Sequence, residues 1–272
     1  MKKFFQVLGL GILIHAILGI LLTFYHPGWS GTTSPMDDST ALTYLFFTTG
    51  VVLWIPLSVR LIFKKDLSYL FLQREGAGSS ILFGFIAGCL LFLAFLFAGL
   101  AFGVVSYKGY HPEHLRGVLV VFAIAFFIQA SSEEIMMRGL LTRLALNRFG
   151  RVAAILLPSI LFALFHLGNH GVNLLSIVNT ALVGIVFAET LFLTKNLLFP
   201  CAMHAAWNFI QGPILGFQVS GNALSTHLFS FKVRDALLAG GSYGPENGLI
   251  VTILLLILAV VLAFFLKKRP AL

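Results

Sequence analysis

Long uncharged apolar runs, separated by short polar stretches, dominate the chain. The first, within "MKKFFQVLGLGILIHAILGILLTFY", opens on two lysines and then carries no charge as far as Tyr25. About 20 such residues cross the ~30 Å of bilayer hydrocarbon as an α-helix, which satisfies every backbone N–H and C=O internally. On that criterion the pattern predicts helices near 4–25, 40–63, 80–106, 117–147, 151–167, 171–194, 196–214 and 248–266. The expected fold is all-α, a polytopic transmembrane bundle of about eight helices. No polar segment is long enough for a second core, so a single membrane-embedded domain over 1–272 is expected. The first run has the basic and apolar regions of a signal peptide. It lacks a small-residue cleavage site and is too long, so it reads as an uncleaved span. Segment 215–247 mixes "LSTHLFSFKVRDALL" with "AGGSYGPENG". It is expected to form a surface amphipathic helix and then a Gly/Pro turn.

Composition agrees: 58% of the 272 residues are hydrophobic and 10% are charged, against roughly 25% charged in a soluble domain. The net charge of +8 does not signal nucleic acid, because the basic residues sit at the ends of apolar runs, beside lipid head groups. With eight alternating spans and a cytoplasmic N-terminus, 13 Lys and Arg fall on the cytoplasmic side and 4 on the other. That asymmetry places both termini in the cytoplasm, as expected of an integral protein of a bacterial plasma membrane. The loop 26–39 carries no Lys or Arg, as an outside loop should. Cys89 and Cys201 lie in apolar runs outside any CxxC motif and read as small buried side chains.

Against this background "SSEEIMMRG" at 131–139 stands out, with three charges in six residues at membrane depth. Each costs at least ~2.5–3.5 kcal/mol there on insertion scales. Glu134 and Arg138 are spaced i,i+4, share a helix face and are expected to form a structural ion pair. Glu133 is rotated by about 100° and left available for chemistry. Two later helices carry polar clusters of their own: "FALFH" at 162–166 ends on His166, and "HAAWN" at 204–208 sets His204 and Asn208 on one face. A carboxylate and an imidazole can share a water and remove its proton as it attacks a carbonyl. A second imidazole and a carboxamide can donate to the oxyanion that forms. Glu133 and His166 are therefore the expected water-activating pair, with His204 and Asn208 at the oxyanion. No GxSxG serine or activated cysteine points to an acyl-enzyme. The alternative is a catalytic zinc held by His166, His204 and a glutamate. HExxH is absent and Asn208 would have little to do as a ligand, so the metal-free mechanism is favoured.

In this order, "EEIMMR" (133–138), "FALFH" (162–166) and "HAAWN" (204–208) resemble the EExxxR, FxxxH and HxxxN/D motifs of the CPBP family of intramembrane proteases. That family is also called the CAAX protease and bacteriocin-processing, or Abi, family. The resemblance covers about 117–212, the expected catalytic core helices, and the first three spans match no motif. It implies Glu133 and His166 on the water, His204 and Asn208 at the oxyanion, and Glu134 with Arg138 as supports. The expected partners are a peptide or membrane-protein substrate, lipidated or not, and the lipid bilayer, with no nucleic acid; the identity of the substrate does not carry over from the family. The resemblance leaves zinc open as an alternative to the metal-free reaction. Two non-proteolytic readings from other classes also remain: a bacteriocin-immunity or partner-binding protein, and a proton-coupled transporter. A proton relay gives no reason for Asn208 to share a face with His204.

Other polar residues carry blander expectations. Glu189, near Lys195, is expected to snorkel or pack, His15 to bond between helices, and Asn173 to cap a helix with substrate contact as the other option. His26, His111, His114 and His227 read as solvated, and His170 lies at the outer end of a helix. Trp207 reads as packing or a cavity wall.

Overall fold

The computed structural model describes residues 2–25, 36–115 and 117–269. The loop expectation for 26–35 and His26 lies outside them. Helices follow the apolar runs: α1 (Lys2–Tyr25), α2 (Asp38–Phe47) and α3 (Thr49–Leu61), then α4 (Ala77–Ala101) and α5 (Val118–Glu134). A π-helical stretch, Ile135–Leu141, joins α5 to α6 (Thr142–Phe165). After it come α7 (Leu174–Thr194), α8 (Leu198–Phe209, with a π turn to Ile214), the one-turn α9 (Ala236–Ala239) and α10 (Leu249–Lys267). The all-α expectation holds.

The run Val118–Phe165 is helical over 48 residues, which if straight would measure ~72 Å. It is not straight. Gly150 sits at φ 81°, ψ −177°, a conformation other residues rarely adopt. Beyond it Thr142 Oγ1 donates to the carbonyl of Ala154 at 3.2 Å. Twelve residues of continuous helix would hold those groups ~18 Å apart, so the chain doubles back at Gly150. This is the break expected between 147 and 151, and it returns His166 to the level of Glu133. The cap expected at Asn173 is present as a reciprocal pair with Ser176 at the start of α7.

Among the described residues, five helical stretches are long and apolar enough to cross a membrane: Asp38–Leu61, Ala77–Ala101, Val118–Phe165, Leu174–Thr194 and Leu249–Lys267. Their outward residues, such as Phe83, Leu90, Phe97, Ile124 and Val260, are exposed and apolar, as contact with lipid tails requires. The chain is an integral membrane protein.

Lipid offers helices no hydrophobic reason to associate, so close backbone packing must hold them. Helix α8 lies against α4 and α5, and the α4 contact is made through two glycines four apart. A Cβ on Gly84 would fall 2.3 Å from the Phe199 carbonyl oxygen, and one on Gly88 2.2 Å from that of Met203. Overpacking of this kind costs ~1–3 kcal/mol. Gly88→Ala should lower the thermal unfolding midpoint in lipid and weaken any activity that depends on His204, the next residue after Met203. An unchanged midpoint would show that the two helices have room to separate.

Two expectations fail outside the bundle. The helix expected to run to 106 stops at Ala101, where Gly103 takes a positive φ (67°) and its N–H turns back to Leu100, a common helix ending. Segment 215–247 contains no long amphipathic helix. Instead β1 (Val105–Tyr110) and β2 (Phe229–Val233) pair antiparallel. Both strands are rich in aromatic and β-branched residues. Each is short, and the pairing joins positions over 100 residues apart, which local periodicity does not register. Cross-strand rings hold it, with Tyr107 5.7 Å from Phe231, and Phe231 stacks 5.6 Å from Phe217.

Candidate active site

At the end of α5 and in the π stretch, Glu134 and Arg138 are wholly buried and joined, with Arg138 Nη1 donating to Glu134 Oε1 at 3.1 Å. The guanidinium also lies 4.5 Å from the Phe162 ring centre and 5.4 Å from that of Phe187, a favourable place for a cation. Gly184 makes room for it, since a Cβ there would come within 2.9 Å of Arg138 Nη2.

Glu134 does more than neutralise Arg138. The same Oε1 lies 3.1 Å from Nδ1 of His204 on α8. The imidazole stacks on Phe187, ring centres 5.1 Å apart, and its other nitrogen, Nε2, stands 3.8 Å from Glu133 Oε2. His204 thus lies between the two adjacent glutamates, hydrogen-bonded to Glu134 and turned toward Glu133. The i,i+4 spacing revealed the ion pair but not its third member, because no local spacing links 134 to 204.

Glu133 is less buried, with 26% of its side chain exposed. It has a partner the sequence reading missed: Gln129 Nε2 donates to Glu133 Oε1 at 2.6 Å. Gln129 Oε1 in turn accepts from Asn208 Nδ2 at 3.2 Å. The signal was present in the sequence, since Gln129 lies four residues before Glu133 on the same face. Asn208 spends one N–H on Gln129 and keeps its second. His166, at the C-terminal end of α6, donates from Nδ1 to the Phe162 carbonyl at 2.8 Å, which leaves Nε2 as its free nitrogen.

Glu133, His166, His204 and Asn208 line one cavity of about 180 Å³, together with Gln129, Tyr44, Asn169 and Ser220. Such a space admits several waters or part of a peptide. Among the described residues no group of three His, Cys, Asp or Glu side chains is placed to hold a metal.

A second cavity adjoins the first and reaches Glu246, just before α10. Glu246 accepts from Gln211 Nε2 at 2.7 Å and from the Ser220 amide at 3.3 Å. Burial pushes its carboxyl up to about 7. The unfolded chain, with an ordinary carboxyl near 4.5, loses this proton first. Over roughly pH 4.5–7 the folded state therefore binds the extra proton, and this group's contribution is full below that window and lost as pH rises through it. The unfolding midpoint of wild type should fall from pH 5 to pH 8 more than that of Glu246→Gln. Parallel curves would show that the carboxyl ionises normally.

The remaining expectations divide. Trp207 packs on Phe92, ring centres 5.0 Å apart, and lines the second cavity. His15 does not bond between helices: Nδ1 donates to Gly11 O in its own helix, and its ring meets Phe47 edge-on. Glu189 is only 5% exposed and does not snorkel. His111, His114 and His227 are not simply solvated but cluster, with ring centres 5.3–5.9 Å apart. His111 and His227 both contact Ser230 Oγ on β2. The pKa of His227 is held down by burial, then by its two imidazole neighbours.

The family profile of type II CAAX prenyl endopeptidase Rce1-like proteins matches residues 115–210. That profile is one of the CPBP (Abi) family of intramembrane proteases, and the matched stretch, about a third of the chain, is similar to it. The stretch holds Gln129, Glu133, Glu134, Arg138, His166, His204 and Asn208, and it ends before Gln211, Ser220 and Glu246. No curated protein matches the chain. The likeness supports, at the level of that family, a CAAX-type intramembrane protease.

Proposed function

We propose that the chain is an intramembrane endopeptidase that hydrolyses a peptide bond by direct attack of water, with no covalent intermediate. One observation carries this reading: Glu133, His166, His204 and Asn208, from three separate helices, line the same cavity. Buried ionisable groups are costly in a membrane, and packing alone gives no reason to collect four polar groups around one space.

Glu133 acts as general base, held by Gln129, and shares the attacking water with His166 Nε2, which lines the same cavity. The 3.8 Å between Glu133 Oε2 and His204 Nε2 is too long for a direct hydrogen bond and suits a bridging water. As water attacks, its proton passes to Glu133 and later to the leaving amine. Glu134 fixes His204 through Nδ1, and when both ring nitrogens carry hydrogen the Nε2–H donates to the oxyanion. The second N–H of Asn208 is the other donor. The substrate is a peptide or membrane protein presented at the bilayer, lipidated or not.

The test is to incubate the purified protein in lipid with a diverse peptide and lipopeptide library, with and without a strong chelator. Defined cleavage products are expected, at rates the chelator leaves unchanged. Loss of cleavage with chelator and its recovery with zinc would overturn the metal-free mechanism. Absence of products would overturn the protease reading.

A further inference from the structure

The catalytic cavity and the second, smaller one share His166, His204, Asn208 and Ser220 as walls. Val183, Phe187, Val251 and Leu255 give the second cavity apolar walls, and Glu246 and Asn179 line it as well. Asn179, 1% exposed, donates from Nδ2 to the carbonyls of Glu246 (2.8 Å) and Gly248 (3.1 Å). Two carbonyl acceptors identify that atom as the nitrogen, and Oδ1 is left buried without a hydrogen-bond partner. Glu246 is held by Gln211 and Ser220, and no Lys or Arg among the described residues pairs with it.

A carboxylate and an unmatched carboxamide oxygen offer only acceptors. Acceptors set beside apolar walls, with no Lys or Arg among the described residues paired to them, suit a group with an apolar stem and a cationic donor head. The geometry points to this second cavity as a specificity pocket for a cationic substrate group, with Glu246 as counter-charge and Asn179 Oδ1 as second acceptor. The inference rests on the peptidase reading and gives it a substrate class: peptides with an amine or guanidine close to the scissile bond. A lysine or arginine side chain and a peptide's own N-terminal amine present the same chemistry.

The test uses full-length protein in lipid nanodiscs and peptides that differ at one position near the scissile bond, carrying lysine, norleucine or glutamate. Each is made with a free and with an acetylated N-terminus. Cleavage is read as kcat/KM in wild type, and binding is read in Glu133→Gln protein. The lysine peptide is expected to exceed its norleucine counterpart by about tenfold or more, a common scale for a buried charge contact. Adding Glu246→Gln should bring that ratio close to one in both readouts. Val183→Phe, which fills the cavity, should do the same and covers the case of a misfolded Glu246 variant. Retention of the preference with acetylated peptides assigns the side chain, and its loss assigns the N-terminal amine. Cleavage with equal efficiency for lysine and norleucine peptides, free or acetylated, would overturn the pocket and leave the peptidase standing. A Glu246-dependent lysine preference in binding with no cleavage by wild type would overturn the peptidase and leave the pocket. Neither cleavage nor preference would overturn both.

Discussion

Glu133→Gln should reduce peptide cleavage by about 10²–10⁴-fold, the range that a positioned general base contributes. The substitution keeps the shape of the side chain and replaces an acceptor oxygen with an amide that cannot take a proton from water. Its structural cost should be small, because Glu133 is partly exposed, accepts one hydrogen bond from Gln129, and does not belong to the Glu134–Arg138 pair. The decisive observation is a loss in kcat with the unfolding midpoint preserved. Cleavage near the wild-type rate in purified Glu133→Gln protein would refute the assignment. His204→Gln would not be an equally clean control, since it also removes a partner of Glu134.

Arg138→Met should have the largest effect on folding, about 3–5 kcal/mol, the usual result of leaving one buried charge without its partner. Three surroundings make the site unforgiving: the Glu134 carboxylate, the two phenylalanine rings, and the gap at Gly184 that only a hydrogen side chain leaves open. A second substitution separates stability from chemistry. Glu134→Gln with Arg138→Met removes both charges and keeps much of the volume, so stability should return most of the way to wild type. Activity should not return, because His204 Nδ1 would then face a neutral amide in place of a carboxylate. If the double variant regains cleavage along with stability, Glu134 serves only to neutralise Arg138 and does not orient the histidine.

What the sequence revealed follows from the range over which each signal acts. Helix positions were readable because bilayer thickness sets a length that each apolar run must reach on its own. The i,i+4 pairs were readable for the same reason, and Gln129 was overlooked although that very spacing ties it to Glu133. The reversal at Gly150 was visible only as a gap between two predicted helices. The contacts that joined remote segments were not readable: His204 to Glu134, Asn208 to Gln129, β1 to β2, and the three clustered histidines. These depend on which helices become neighbours. The misreading of 215–247 has the same source, because "FSFKV" has no partner until the chain from 105 to 110 is placed beside it.

The π-helical stretch Ile135–Leu141 has a consequence for the ancestry of this core. A π turn holds one more residue than the α turn it replaces, which makes it the trace of a single inserted residue. Removing one residue from 135–137 would restore regular winding and leave the helix beyond it nearly in place. The change would fall on the ion pair, because Arg138 would then follow Glu134 by three residues in place of four. Lineages that keep the catalytic constellation should therefore keep this arginine and its four-residue spacing from the second glutamate.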